Sequence, residues 1–316
     1  MLQPHLLLFS TIPQASIEAL RRNFTVHEVY KAEDREALIR ETAPEVEAVI
    51  GYGAGVRVDA DLIDRLPKLK IISTVSVGYD AIDVVHAAQK GIAVTNTPDV
   101  LTEEVADLTV ALLLATVREL PAADRYLREG KWLKGPYPFS RATMKGRKVG
   151  ILGLGRIGKA VAARLQPFGV SIAYHGRRQQ SDVPYRYYGD LVEMAREVDT
   201  LVSLAPGGAE TKAICNRAVF EALGADGIFV NVGRGSTVDE PALIEALRDG
   251  VILSAGLDVF ADEPRVPQAL IDLPNTVLLP HVGSASVATR AAMAELAVAN
   301  LIAWREGRPL LTPVVL

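Results

Sequence analysis

The sequence predicts an α/β protein built from two doubly wound parallel-sheet domains. Three observations carry this prediction. Short apolar runs alternate with helical stretches of crossover length along the chain, the pattern of parallel strands covered by helices on both faces. A G-x-G-x-x-G, Gly153-Leu154-Gly155-Arg156-Ile157-Gly158, stands between a β pattern at 148–152 and a helical one. A full small domain of alternating elements, without that motif, precedes it.

In chain order, the apolar runs 6–9, 24–29, 48–50, 70–73 and 93–95 read as strands, and 14–22, 34–42, 60–66 and 81–90 as the helices between them. A helix follows over 101–120, with Thr102 as N-cap and Glu103 and Glu104 in its first turn, where the helix dipole favours negative charge. It is apolar on nearly every face, which predicts burial on several sides, between domains or between subunits. Trp132 and Tyr137 lie in a loop that reads either as an oligomer contact or as a plain surface loop packing its own aromatics. The second half supplies six strands, 148–152, 170–174, 200–204, 227–232, 253–257 and 277–279, with helices near 191–197 and 241–249. A last helix spans 287–305, and the extended tail 309–316 is read as folding back on the first domain, which makes that domain discontinuous.

Composition limits what the protein can be. Its 316 residues suffice for two ordinary domains, and 49% hydrophobic with 23% charged residues describes a globular chain with a large core. A net charge of −4 lacks the basic excess that a nucleic acid requires. The one cysteine, Cys215, excludes an internal disulfide and fits a reducing, cytoplasmic setting; Met1-Leu2-Gln3-Pro4 lacks the basic start of a secretory signal. The most apolar stretch, 105–117, is too short to span a membrane, so no membrane partner is expected. No metal is expected either.

In the glycine motif, Gly153 permits a tight turn, Gly155 lets the backbone approach a pyrophosphate, and Gly158 lets helix pack on strand. Cofactor choice is decided at the end of the next strand, where an enzyme using NAD places an acid for the ribose 2′-hydroxyl. Here the residues are Tyr174-His175-Gly176-Arg177-Arg178. With no carboxylate and two guanidinium groups, paired Arg–phosphate contacts favour NADPH over NADH; the bland reading, two solvated surface charges, leaves the missing acid unexplained. Two polar turns of the first domain, 51–55 and 76–80, either hold a substrate carboxylate or are simple strand-to-helix turns.

Three ionisable residues each follow an apolar strand: Arg234 in N-V-G-R-G, Glu263 in D-V-F-A-D-E-P, and His281 in P-H-V-G-S-A. Each has a structural reading of its own, as a turn cation, a turn acid and a loop histidine. Together they are the set that hydride reduction of a 2-keto acid needs. The arginine binds the carboxylate and polarises the carbonyl, the histidine supplies a proton, and the carboxylate orients the histidine.

With G-L-G-R-I-G, N-V-G-R-G, D-V-F-x-x-E-P and P-H-V-G-S-A in this order, the chain resembles the D-isomer-specific 2-hydroxyacid dehydrogenases over essentially its whole length. The H-G-R-R and S-V-G-Y-D segments make it most similar to their NADPH-dependent glyoxylate/hydroxypyruvate reductases. The resemblance implies a discontinuous, flavodoxin-like substrate domain (1–99 plus 287–316), an inserted Rossmann NAD(P)-binding domain (100–286), an active site in the cleft and a homodimer built around the cofactor domain. It implies Arg234, Glu263 and His281 as the catalytic set, and Val77 and Gly78 as backbone contacts to the substrate carboxylate, with Tyr52 and Gly53 nearby. Asp258 is implied beside the nicotinamide ring, Arg156 and Ile157 at the pyrophosphate, and Leu204 and Pro206 beside the adenosine. Val232, Gly233 and Gly283 complete the expected cofactor contacts. Segments 51–55 and 132–139 match no single substrate class, which leaves the size of the keto-acid side chain open. The alternatives are a dehydrogenase for a larger or aromatic keto acid, and a non-catalytic NAD(P)-sensing module.

Overall fold

The computed structural model describes residues 3–51 and 57–315. The chain divides into two compact units, Met1–Leu101 with Ser284–Leu316, and Thr102–Gly283. Tyr52 and Gly53, expected near substrate, lie outside the described residues.

The first unit holds strands β1 (His5–Leu8), β2 (Thr25–Glu28), β3 (Val46–Gly51), β4 (Ile71–Thr74) and β5 (Ala93–Thr95) in the order β2-β1-β3-β4-β5. All pairs are parallel, and this is the flavodoxin-like strand order. Helices α1 (Gln14–Asn23), α2 (Arg35–Thr42), α3 (Ala60–Arg65) and α4 (Val84–Gln89) make the crossovers. Aspartates start three of them: Asp34 accepts from the Ala37 amide, Asp59 from Leu62 and Asp83 from His86, each taking up a donor that the first turn leaves free. The Asp83 cap explains why α4 begins at Val84 rather than at 81.

The C-terminal helix, Val287–Arg305, belongs to this unit. It has the length and apolar composition to cross a membrane, which the reading of 105–117 as the most apolar stretch passed over. Here its Met293, Ala294, Ala297, Val298 and Leu301 are buried. The Ala297 carbonyl accepts from Ser73 Oγ of β4, which in turn accepts from Thr95 Oγ1 of β5. The tail adds an antiparallel bridge to β5 at Thr95 and Pro313.

The second unit carries seven parallel strands in the order β12-β11-β10-β9-β6-β7-β8. These are β6 (Lys148–Leu152), β7 (Ser171–His175), β8 (Arg186–Tyr188), β9 (Thr200–Ser203), β10 (Ile228–Asn231), β11 (Ser254–Leu257) and β12 (Thr276–Leu278). Numbered from β6, this is the Rossmann order 3-2-1-4-5-6 with one strand added beyond the sixth position. Its helices are α5 (Thr102–Val117), α6 (Leu120–Arg128), α7 (Arg156–Leu165), α8 (Leu191–Glu197), α9 (Arg217–Leu223), α10 (Glu240–Arg248) and α11 (Gln268–Ile271). The strand not anticipated is β8, a three-residue edge strand, R-Y-Y, in which only Tyr188 is buried.

The expected helix 101–120 is two helices. Thr102 is its first residue rather than its cap, and the chain breaks at Glu119, whose φ is +53°. Burial on α5 follows one stripe, Val105, Ala106, Thr109, Leu112, Leu113, Thr116 and Val117, with Leu108, Val110 and Leu114 half-buried. Close packing fixes that stripe: a Cβ on Gly256 of β11 would collide with Thr116 Oγ1 and crowd Leu112.

Candidate active site

Strand β6 has β7 on one side and β9 on the other, so the chain leaves it in opposite directions and opens a crevice at the carboxyl end of the sheet. The glycine motif fills this switch point. Gly153 has φ +94°, its amide donates to the His175 carbonyl at 3.0 Å, and an added Cβ would press on the Leu204–Ala205 backbone. A Cβ on Gly158 would collide with the Gly153 carbonyl oxygen, whereas one on Gly155 would stand in open space. Gly155 is also the N-cap of α7 and offers no side-chain acceptor, and the N-terminal end of a helix favours an anion. The cradle has the form a dinucleotide pyrophosphate needs.

Beyond β7, Arg177 and Arg178 are exposed in a bend, and neither has an ion-pair partner among the described residues. His175 Nδ1 lies 2.9 Å from the Tyr188 carbonyl; the carbonyl can only accept, so Nδ1 carries the proton. On the other side of the crevice, Leu204 is half-buried and Pro206 exposed after β9. Val232 and Gly233 are buried after β10, where a Cβ on Gly233 would collide with the Ala205 carbonyl.

The three ionisable residues sit in the turns after β10, β11 and β12. Asn231, fully buried at the end of β10, shapes the Arg234 turn. Its amide nitrogen donates to the Arg234 carbonyl at 3.0 Å and its oxygen accepts from the Gly233 amide at 3.0 Å. Thr237 Oγ1 donates to the same Arg234 carbonyl at 2.7 Å. A Cβ on Gly235 would run into the Phe260 backbone, so this turn and the one carrying Glu263 are packed face to face.

Glu263 Oε2 lies 2.6 Å from His281 Nδ1, and Oε1 accepts from the Phe260 amide at 3.1 Å. Burial is the largest single influence on the Glu263 carboxyl and pushes its pKa up. The His281 hydrogen bond and charge, the Phe260 amide and the Arg234 charge together outweigh it and hold the pKa below the usual glutamate value. The pair is half-buried and still reaches solvent, with side-chain exposures of 31% for His281 and 24% for Glu263. With Nδ1–H given to the carboxylate, Nε2 is the atom left for chemistry.

Asp258 is buried at the end of β11. Its two oxygens accept from the Val282 and Gly283 amides, each at 2.8 Å. Burial raises its pKa, against the lowering effect of those two amides and the His281 charge. In the first unit, the Val77 carbonyl accepts from Asn96 Nδ2 at 2.8 Å and the Gly78 carbonyl accepts from Ser76 Oγ. Side chains of its own unit thereby fix this turn.

The structure therefore brings Arg234, Glu263 and His281 into neighbouring turns and sets Asp258 behind His281. Gln180, whose side-chain nitrogen donates to the Leu154 carbonyl, lies outside every motif the sequence offers; Asn231 opens N-V-G-R-G, but its two bonds to that turn do not show in the sequence.

Residues 110–283 match the family described as D-isomer specific 2-hydroxyacid dehydrogenase, NAD binding domain. A glyoxylate/hydroxypyruvate reductase A of Arabidopsis thaliana is 47% identical over 296 residues, 94% of this chain and 94% of its own. A hydroxyphenylpyruvate reductase of Plectranthus scutellarioides is 50% identical over 273 residues, 86% of this chain and 87% of its own. The crystal structure of an NADPH-dependent glyoxylate/hydroxypyruvate reductase of Sinorhizobium meliloti, in complex with NADP and malonate, is similar with a TM-score of 0.91 at 46% identity. That likeness covers 99% of this chain and 97% of the solved one.

Proposed function

The chain belongs to the D-isomer-specific 2-hydroxyacid dehydrogenase family, and from that premise we propose that it reduces a small 2-keto acid of the glyoxylate/hydroxypyruvate type to the D-2-hydroxy acid, with NADPH preferred. The observation that carries the reading is the His281–Glu263 pair at 2.6 Å, with the charge of Arg234 acting on the same carboxylate. An acid–base residue, its orienting carboxylate and a carbonyl-polarising cation are what this reaction asks of a protein.

The assignment gives each group a task. The Arg234 guanidinium holds the keto acid and draws electron density toward the carbonyl oxygen. The Val77 and Gly78 amides take the substrate carboxylate. His281, with Nδ1–H committed to Glu263, delivers a proton from Nε2 to the developing alkoxide. The nicotinamide cofactor, when bound, supplies the hydride. Gly153, Gly155, Arg156, Ile157 and Gly158 would hold its pyrophosphate, His175, Gly176, Arg177 and Arg178 the phosphorylated ribose, and Leu204 and Pro206 the adenosine. Val232, Gly233, Asp258 and Gly283 would line the nicotinamide side.

Steady-state rates with glyoxylate, hydroxypyruvate, pyruvate and phenylpyruvate, each with NADPH and NADH, test the reading. The expected result is a kcat/KM for the two small acids at least about tenfold above that for phenylpyruvate, a difference that pocket contacts readily supply. The reverse order would favour an aromatic keto acid, the second reading, which the hydroxyphenylpyruvate reductase relative supports. Absence of turnover with all four acids would favour a sensing module. His281→Ala should lower kcat by roughly 10²- to 10⁴-fold, and near-normal turnover in that variant would remove the proton-donor assignment.

NADPH preference rests on Arg177 and Arg178. The double variant R177A/R178A should raise the KM for NADPH about tenfold or more and leave that for NADH nearly unchanged, because paired charge-assisted contacts to a 2′-phosphate are lost. An unchanged NADPH KM would take the basis of that preference away.

A homodimer belongs to the same proposal, supported by exposed apolar side chains in the segment that follows α6. Trp132 is 67% exposed, Leu133 95% and Phe139 100%, and exposed large apolar side chains are the kind that a partner surface covers. Tyr137 is not part of it, since its hydroxyl donates to Glu119 and its ring packs edge-on to Tyr126. A cytoplasmic location accords with the single, buried Cys215.

A further inference from the structure

The arginine bend is fastened at both ends. Upstream, the Gly176 carbonyl accepts from the Tyr187 hydroxyl of β8 at 3.1 Å. Downstream, the Gln180 amide donates at 2.7 Å to the hydroxyl of Tyr174, a side chain wholly inside the core. The Gln180 side-chain nitrogen then donates at 2.7 Å to the carbonyl of Leu154, the residue between the first two glycines of the fingerprint. One side chain thus joins the segment carrying Arg177 and Arg178 to the turn that faces a pyrophosphate.

We propose that Gln180 is a positioning residue for cofactor choice: it holds the arginine bend in register with the glycine-rich turn, so that both guanidinium groups stand ready for a 2′-phosphate. This rests on the NADPH reading above. Arg177 and Arg178 are long, exposed cations without ion-pair partners among the described residues, so their own contacts do not place them. Ordering such side chains is costly in entropy, and a bend anchored beforehand reduces what binding must spend. The bond from Gln180 Nε2 is the one link from this bend to the Leu154 carbonyl among the described residues. A ligand that bridges both loops senses it, and a ligand lacking the 2′-phosphate does not depend on the bend.

The test is calorimetric binding of NADP⁺, NAD⁺, 2′,5′-ADP and 5′-AMP to the full-length protein, its Gln180→Met and Tyr187→Phe variants, and R177A/R178A. Methionine keeps the length of the side chain and removes the donor. Gln180→Met should weaken NADP⁺ and 2′,5′-ADP about five- to tenfold, the value of one hydrogen bond, and leave NAD⁺ and 5′-AMP within about twofold. Tyr187→Phe, which frees the other end of the bend, should show the same selectivity, and it decides the matter should Gln180→Met fail to fold. Unchanged 2′,5′-ADP affinity in these variants, or equal weakening of all four ligands, would overturn the proposal. If R177A/R178A loses its preference for 2′,5′-ADP while Gln180→Met keeps it, only the Gln180 role falls. If the unaltered protein binds 2′,5′-ADP no better than 5′-AMP, the NADPH reading falls and this proposal with it.

Discussion

His281 has a φ of +54°, a conformation that costs a residue other than glycine about 1 kcal/mol or more and persists only where its surroundings impose it. Those surroundings are visible. The Asp258 carboxylate takes the two amides that follow His281, and Glu263 takes its ring nitrogen. Backbone and side chain are held by separate acids, so the imidazole is placed before any ligand arrives. Glu263 serves stability as well as placement. Its folded pKa lies below the unfolded value of 4.5, so the unfolded chain binds more protons in that range. The stabilisation is present above pH 4.5 and is lost as the pH falls through the folded value. Glu263→Gln should therefore lose this part of the acid-side decline in thermal stability, read from melting temperature between pH 6 and pH 3. At neutral pH it should cost roughly 10²-fold in kcat, because the amide no longer fixes the ring by a charge-assisted bond. An acid limb identical to that of the parent would contradict the coupling of the pair.

At the level of elements, what the sequence reveals depends on where each element finds its partners. Strands buried on both faces, such as I-I-S-T of β4 and I-F-V-N of β10, show as apolar runs because both faces demand it. The short edge strand β8 shows nothing of the kind: R-Y-Y is stabilised by pairing with β7 and by the Arg186 guanidinium over the Tyr188 ring at 4.5 Å, neither of which leaves a pattern in the chain. The break between α5 and α6 leaves only Pro121, in the first turn of α6, as its mark; the left-handed residue itself, Glu119, is neither glycine nor asparagine and shows nothing. The three residues proposed as the catalytic set stand out in the sequence because each follows an apolar strand and the three residue types suit one reaction. The contacts that support this set and the arginine bend do not. Asn231, Tyr174 and Gln180 act through contacts that exist only once separate strands are adjacent, and a polar residue in a turn reads alike whether or not it ties two loops together.

For the molecule as a whole, the division of the chain sets which pieces can stand alone. The second unit, 102–283, is continuous and has its own seven-stranded sheet and a core that includes Met194, Phe220, Phe229 and Leu243. It lies in the size range in which a single core suffices. The first unit is divided between the two ends of the chain, and its N-terminal part borrows cover from the C-terminal part. Phe24 stacks on Trp304 with ring centroids 6.5 Å apart, and Ser73 of β4 bonds to Ala297. Asn300, fully buried, accepts from the Leu311 and Thr312 amides and donates to Thr312 Oγ1, whose hydroxyl donates to the Asn96 carbonyl beside β5. A fragment ending at residue 101 exposes the face of β4 and the edge of β5 and leaves the polar atoms of Ser73 and Asn96 without these partners, a combination of lost burial and lost hydrogen bonds that a small domain rarely survives. Circular dichroism melts and amide exchange should show a cooperative fold for 102–283 and none for 1–101. The 102–283 fragment should also bind 2′,5′-ADP with the affinity of the full chain, because the glycine turn, Gln180 and both arginines lie within it. A cooperative melt for 1–101, or an unfolded 102–283, would mean that the division into two cores does not govern stability.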